Sequence, residues 1–327
     1  MTNLDLPPPG SCRSGSGSSR AANFRSRVRG VGYAPGVSVL VNPSASELRA
    51  HGGVMTGTGW PYFMPGYRGG LSIKTMIRGS GVWRTPSGVH RVDPDHVLIL
   101  NHGQTYTLAI DGDAGPIETF CPFFSERLLR DAVACRRRGA VLPDELDPPV
   151  ELPAFVERLQ RPDPRLMRAL GRLRGALRAD APELAVGHIH DLVDVVLDAA
   201  TAERTRIAAI SAARARTRDE LFRRVHRAVD WAHANLSTPI TLVELAGAAA
   251  MAPYHFHRAF REIVGMPPGR YVTELRLDRA RRLLRETCHS VTEVCLMVGF
   301  ESLGTFSTRF KRRFHVAPNA WRAISQA

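Results

Sequence analysis

The stretch SVTEVCLMVGFESLGTFSTRFKRRFHVAP at residues 290–318 repeats the plan of TLVELAGAAAMAPYHFHRAFREIVGMPP at residues 241–268. Each copy opens on a capping box, Thr241 with Glu244 and Ser290 with Glu293. In such a box a hydroxyl and a carboxylate three residues apart satisfy the free amides of a starting helix. A short apolar stripe follows, Leu242, Leu245, Ala246 and Ala249 in the first copy and Val291, Val294, Cys295 and Val298 in the second. After a brief break a second helix carries phenylalanines four apart, Phe256/Phe260 and Phe306/Phe310. The second break is one residue longer. Two helices joined by a short turn make a helix-turn-helix, whose second helix can enter a major groove. One such pattern is weak, because any helical hairpin buries similar faces; two matched copies are specific.

Between the copies, residues 268–286 form one helical run with Tyr271, Val272, Leu275, Ala280, Leu283 and Leu284 on its apolar stripe. About 18 helical residues span about 27 Å. Successive major-groove faces lie about 34 Å apart, so this run plus the bodies of the two units can seat both recognition helices on one side of a duplex.

These motifs, with RLDRARRLLRET at 276–287 leading into the second copy, resemble the AraC/XylS transcription regulators. The resemblance covers about 100 residues, from Asp219 to Arg322. It implies two helix-turn-helix units joined by a linker helix, reading double-stranded DNA. Bases are read in relatives by the residues that align with Tyr254, His257 and Arg258. With Arg261, these form the face of the first recognition helix opposite Phe256, Phe260 and Ile263. Arginine can bond guanine O6 and N7 bidentately, histidine can donate or accept, and tyrosine can pack on sugar or a thymine methyl. The full expected contact set adds His255 in the first unit and Ser302, Gly304, Thr305, Thr308, Arg309 and Arg312 in the second. The second unit departs from the family: Thr308 stands where an arginine is usual, and Gly304 offers no side chain. Arg309 and Lys311-Arg312-Arg313 suit phosphates better than base edges. His315 takes the place of a helix-stopping glycine, and Ala252 that of a capping serine.

The chain has 327 residues, room for two domains. Its net charge of +13 favours a polyanionic partner. The excess is not concentrated, because residues 219–327 hold 16 Arg and Lys against 10 Asp and Glu. Five cysteines without a CxxC pair predict neither a disulfide framework nor a zinc site. No run of 18 apolar residues predicts a membrane span, and a cytoplasmic location is expected.

Residues 1–30, rich in Pro, Ser, Gly and Arg, read as a disordered tail. Residues 31–124 change to short runs punctuated by Gly, Pro and Asn: Val37–Val41, Leu71–Arg78, Gly81–Arg84, His90–Val92, His96–Leu100 and Tyr106–Ile110. That spacing predicts a sandwich or barrel. The stretch LSIKTMIRGSGVWRTPSGVHRVDPDHVLILNHGQTYTLAI at 71–110 resembles the cupin-like sensory domain of AraC-type regulators, which implies a β-barrel that takes a small effector. Residues 60–67, WPYFMPGY, read as a Pro-bounded aromatic loop. His90, His96 and His102 are expected on surfaces or loops. No HxH lies in the β region, so no metal and no cofactor is expected. His188-Ile189-His190 falls in a helical run, where side chains two apart do not converge.

Residues 125–218 read as a helical connector, with helices over 125–137, 151–160, 164–178 and 182–215. The Ile189/Leu192/Val193/Val196 stripe predicts a homodimer seam. Residues 219–327 form the DNA-binding domain. The whole is an α+β multidomain chain: a cupin-like barrel, a helical connector and an all-α double helix-turn-helix. The expected function is a sequence-specific DNA-binding transcription regulator, not an enzyme. Its partners would be double-stranded DNA, a second copy, a small-molecule effector and, for an activator, RNA polymerase. The rival from another class is a cupin-type metal-dependent enzyme with a helical appendage.

Overall fold

Val97-Leu98-Ile99-Leu100 is buried at all four positions, and this fixes the layering of the N-terminal half. A strand buried on alternate residues has one wet face; one buried throughout lies between two layers. The structure is a computed structural model that describes residues 39–59, 62–110, 117–138, 150–212 and 214–326. The tail expected over 1–30, and the first part of the run at 37–41, lie outside the described residues.

In chain order the elements are α1 (Ala45–His51), β1 (Gly52–Gly59), β2 (Tyr62–Arg68), β3 (Ser72–Lys74), β4 (Met76–Arg78), β5 (Gly81–Thr85), β6 (Gly88–Val92), β7 (Val97–Leu100), β8 (Thr105–Ile110), β9 (Ile117–Phe124), α2 (Glu126–Arg138) and β10 (Leu159–Gln160). The helices α3 (Pro164–Arg178), α4 (Pro182–Ala208), α5 (Ala215–Ala234), α6 (Leu242–Ala248), α7 (Pro253–Val264), α8 (Pro268–Glu286), α9 (Val291–Met297), α10 (Leu303–Phe314) and α11 (Pro318–Gln326) follow.

One antiparallel sheet runs β1-β9-β3-β7-β10, with β4 also on β9; a second runs β2-β8-β5-β6. Ser72, Lys74, Leu98, Leu100, Cys121 and Phe123 of the first sheet point toward Trp83, Tyr106 and Ile110 of the second. Ile73, Val97, Ile99, Phe120 and Phe124 point the other way, onto α2, α3 and α4.

Among the described residues no strand pair joins the two sheets, so the expected barrel is corrected to two facing open sheets. Helix α5 packs along β6 and covers that edge. A covered edge needs no pairing partner. The aromatic loop expected at 60–67 is corrected as well: from Tyr62 onward it is the edge strand β2, bulged between Met64 and Tyr67. The helix expected over 151–160 is absent. Its amides go to other elements: Phe155 N–H donates to Asn101 Oδ1 at 2.9 Å, Val156 to Glu203 Oε1 at 2.6 Å and Leu159 to Asp230 Oδ1 at 2.9 Å. An amide used in this way cannot serve an i→i−4 ladder.

The Ile189/Leu192/Val193/Val196 stripe lies within the core of the monomer, against α3 and the sheet. Burying each such side chain is worth about 1.5–3 kcal/mol. The stripe is therefore unavailable as the expected dimer seam.

The C-terminal helices match the doubled pattern closely. Both capping boxes close, with Thr241 and Ser290 accepting from the backbones of Glu244 and Glu293. Four residues separate α6 from α7 and five separate α9 from α10. Ala252 provides no side-chain cap to α7, whereas Ser302 caps α10. His315 ends α10 in the left-handed conformation, as Gly265 ends α7. For a non-glycine residue that costs about 1–2 kcal/mol. Helix α8 feeds both cores: Val272 and Leu275 join Phe256 and Phe260, while Leu277, Ala280 and Leu284 join Phe306 and Phe310. The two units are thus fixed to one rod.

Candidate nucleic-acid interface

Helix α7 buries Phe256, Ala259 and Phe260 and leaves the opposite face wet. Tyr254 is 76% exposed. His257, Arg258 and Arg261 are exposed beside it, and with Glu262 they line one open concave patch. His255 is exposed on the flank of this face, its ring 5.8 Å from that of Tyr254. Glu262 accepts from the Ser211 amide at 2.6 Å, so the one acidic side chain of the patch is tied back toward α4. The first unit therefore presents a cationic and aromatic face on a rigid helix.

The second unit presents a different face. Gly304, Thr305 and Thr308 are exposed on α10, with no cation among them. Ser302 uses its hydroxyl to accept from the Thr305 amide. Arg309 is half-buried and donates to Thr273 Oγ1 of α8 at 3.1 Å. Arg313 pairs with Glu274 of α8. Arg312 and Lys311 remain exposed, with no ion pair among the described residues. Of the expected set, Arg309 and Ser302 thus have structural duties, which sequence spacing did not reveal.

A family model described as a helix-turn-helix domain matches residues 245–324. The activator RhaS of Yersinia pestis (strain Pestoides F) is 36% identical over 105 residues, which is 32% of this chain and 38% of RhaS. The chain thus spans under two-fifths of the length of that relative. A transcriptional regulator from Chromobacterium violaceum, described as having an AraC-type DNA-binding domain, is 31% identical over 31% of this chain and 91% of that one, with a TM-score of 0.30. The C-terminal part of the chain is an AraC-type helix-turn-helix domain. The DNA-binding domain of AdpA, solved in complex with a target DNA, is 33% identical over 30% of this chain and 87% of its own length, with a TM-score of 0.29.

The structure also assembles a polar seam between the two-sheet domain and the AraC-type domain, unforeseen from sequence. His90 of β6, expected on the surface, is 2% exposed. Its Nε2 lies 2.7 Å from Glu157 Oε1 and its Nδ1 2.9 Å from Asp230 Oδ2 on α5. Burial pulls the imidazole pKa down, but the hydrogen bonds and charges of Asp230 and Glu157 outweigh it and hold the pKa up at about 9. His96, also buried, packs edge-on against His233 of α5 with ring centroids 4.4 Å apart. Arg282 of α8 reaches Asp93 at 2.7 Å and Asp95 at 2.9 Å. Burial alone would raise the Asp93 carboxyl; bonds and charge from His96 and Arg282 hold it far below the usual range. Arg161 pairs with Asp278 of α8. Only His102 is exposed as expected, 3.3 Å from Glu126. Among the described residues no cluster of three His, Cys, Asp or Glu side chains could hold a metal. No helix among them is long and apolar enough to cross a membrane.

Proposed function

We propose that this chain is a sequence-specific DNA-binding transcription regulator. One observation carries the reading: two recognition helices, α7 and α10, are anchored on the single rod α8 with their outer faces unoccupied. The contact set is Tyr254, His255, His257, Arg258 and Arg261 on α7, with Gly304, Thr305, Thr308 and Arg312 on the second unit. Base reading falls mainly to α7, and phosphate contact mainly to Lys311 and Arg312. The segments read as a cupin-like sensory domain at 31–124, a helical connector at 125–218 and the DNA-binding domain at 219–327. The two facing sheets support the cupin-like reading. A small-molecule effector acts on that domain, and an activator would also contact RNA polymerase. A homodimer would need a surface other than the α4 stripe. The rival metal-enzyme reading needs a ligand cluster that the described residues do not assemble.

The test uses residues 219–327 alone. Both helical cores lie inside this fragment, so it is expected to fold without the rest of the chain. Its log affinity for duplex DNA is expected to fall linearly with log salt, by about 0.9 per phosphate neutralised. Fluorescence anisotropy over a salt series measures this. A folded fragment without affinity at low salt would defeat the reading.

A further inference from the structure

The space between the two sheets holds polar atoms that its packing does not satisfy. Lys74 is 1% exposed, on the inner face of β3. Its Nζ donates to Tyr106 Oη at 2.9 Å and lies 3.7 Å from the centre of the Phe123 ring. Among the described residues no carboxylate pairs with it. An ammonium has three donors, and here one is taken. Tyr67 Oη, Ser72 Oγ and Trp83 Nε1 are also buried without partners. Their residues sit on neighbouring positions of the facing sheets. Tyr67 is the cross-strand partner of Tyr106, with ring centroids 5.6 Å apart. Trp83 faces Leu108, one inward position along β8 from Tyr106. Ser72 shares the inner face of β3 with Lys74.

Buried polar groups are bonded in native proteins, and unbonded ones point to a missing partner. The walls are apolar and aromatic, with Leu98, Leu100 and Phe123 beside the tyrosines. Met55, Met64 and Met76 pack in the same cluster. Unbranched thioether side chains repack readily around a guest.

We propose that the space around Lys74 is a binding site for a small organic monocarboxylate, whose anionic end takes the free donors of Lys74 and the Tyr67 hydroxyl and whose apolar body lies between the two sheets. An anion is selected because no other negative charge faces the amine. The site deepens the effector-responsive reading of this domain and rests on that reading only for its regulatory consequence. Burial lowers the Lys74 amine to about 7, with the nearby Cys121 opposing the shift weakly. A bound carboxylate favours the ammonium and raises that value. The other titratable groups facing it, Tyr106 on β8, Tyr67 on β2 and Cys121 on β9, are all pushed up by burial and stay neutral near pH 7. Binding therefore takes up a proton above pH 7. Affinity is full below pH 7 and falls by about tenfold per pH unit as pH rises above it, until the pKa of the bound state is reached.

Calorimetric titration of the full chain tests this with benzoate and hexanoate against benzamide and hexanamide, below pH 7 and near pH 9. The expected result is binding of at least one carboxylate, no binding of its amide, and weaker binding at the higher pH. Proton uptake, read from buffers of different ionisation heat, accompanies it. Lys74→Met should fold, as an apolar chain of similar length, and lose the carboxylate. If that variant fails to fold, the amide comparison and the proton uptake of the wild type decide. No carboxylate binding, equal binding of the amide, or binding that survives in folded Lys74→Met overturns the proposal. DNA binding is measured on the same preparations, so failure of the DNA-binding reading is seen separately from failure of the Lys74 site.

Discussion

His90→Ala is expected to destabilise the docking of the AraC-type domain on the two-sheet domain by about 3–5 kcal/mol, the range for removing one partner of a buried ion pair. The reason is what remains: Glu157 and Asp230, which His90 bridges at 2.7 and 2.9 Å, lose the cation between them, and Asp230 keeps only the charge of Arg158 nearby. The effect has a pH signature. The folded pKa of His90, about 9, lies above the ordinary value of about 6.5. Its contribution is therefore complete below about pH 6.5 and lost as pH rises through about 9. Lys74, held at about 7, contributes with the opposite sign as pH rises above 7, so the signature is a difference: the denaturation midpoint of the wild type relative to that of His90→Ala should fall over that window. Matching pH profiles would mean that His90 is neutral in the folded chain.

The second large effect concerns reading of the duplex. Arg258→Ala is expected to remove about 1–3 kcal/mol of discrimination at one or two base pairs, the value of a bidentate arginine–guanine contact. That is roughly a 5- to 150-fold loss in preference. Thr308 occupies the matching place on α10 with a single hydroxyl, and a neutral hydrogen bond contributes a net value of about 1 kcal/mol. Thr308→Ala should therefore do little. Arg312→Ala should weaken all sequences alike and flatten the salt slope by about 1. Binding to single-base operator variants at fixed ionic strength separates these cases. Greater relaxation by Thr308→Ala than by Arg258→Ala would reverse the roles of the two units.

The C-terminal half was legible because its signals are local. The capping boxes at Thr241 and Ser290, the Phe pairs and the α8 stripe each lie within a few turns of their partners. The N-terminal half was less legible for the same reason. Residues 151–160 carry a helical pattern but form no helix, because the acceptors for their amides, Asn101, Glu203 and Asp230, are 47 to 71 residues away in the chain. The α4 stripe was real, but periodicity tells that a face is buried and not what buries it. His90 and His96 looked like loop histidines because their partners on α5 lie far along the chain. Within the interface, Arg309 and Arg313 read as free cations from spacing, yet α8 holds both through Thr273 and Glu274.

The central claim is that two fixed recognition helices read one duplex, with α7 dominant. Selection of the full chain against a pool of randomised duplexes at fixed ionic strength tests it most directly. The expected result is enrichment of a site with two blocks about one helical turn apart, about 10 base pairs, one sharply specified and one weakly. Arg258→Ala should erase the sharp block. A pool that binds yet emerges with no sequence preference would contradict the account.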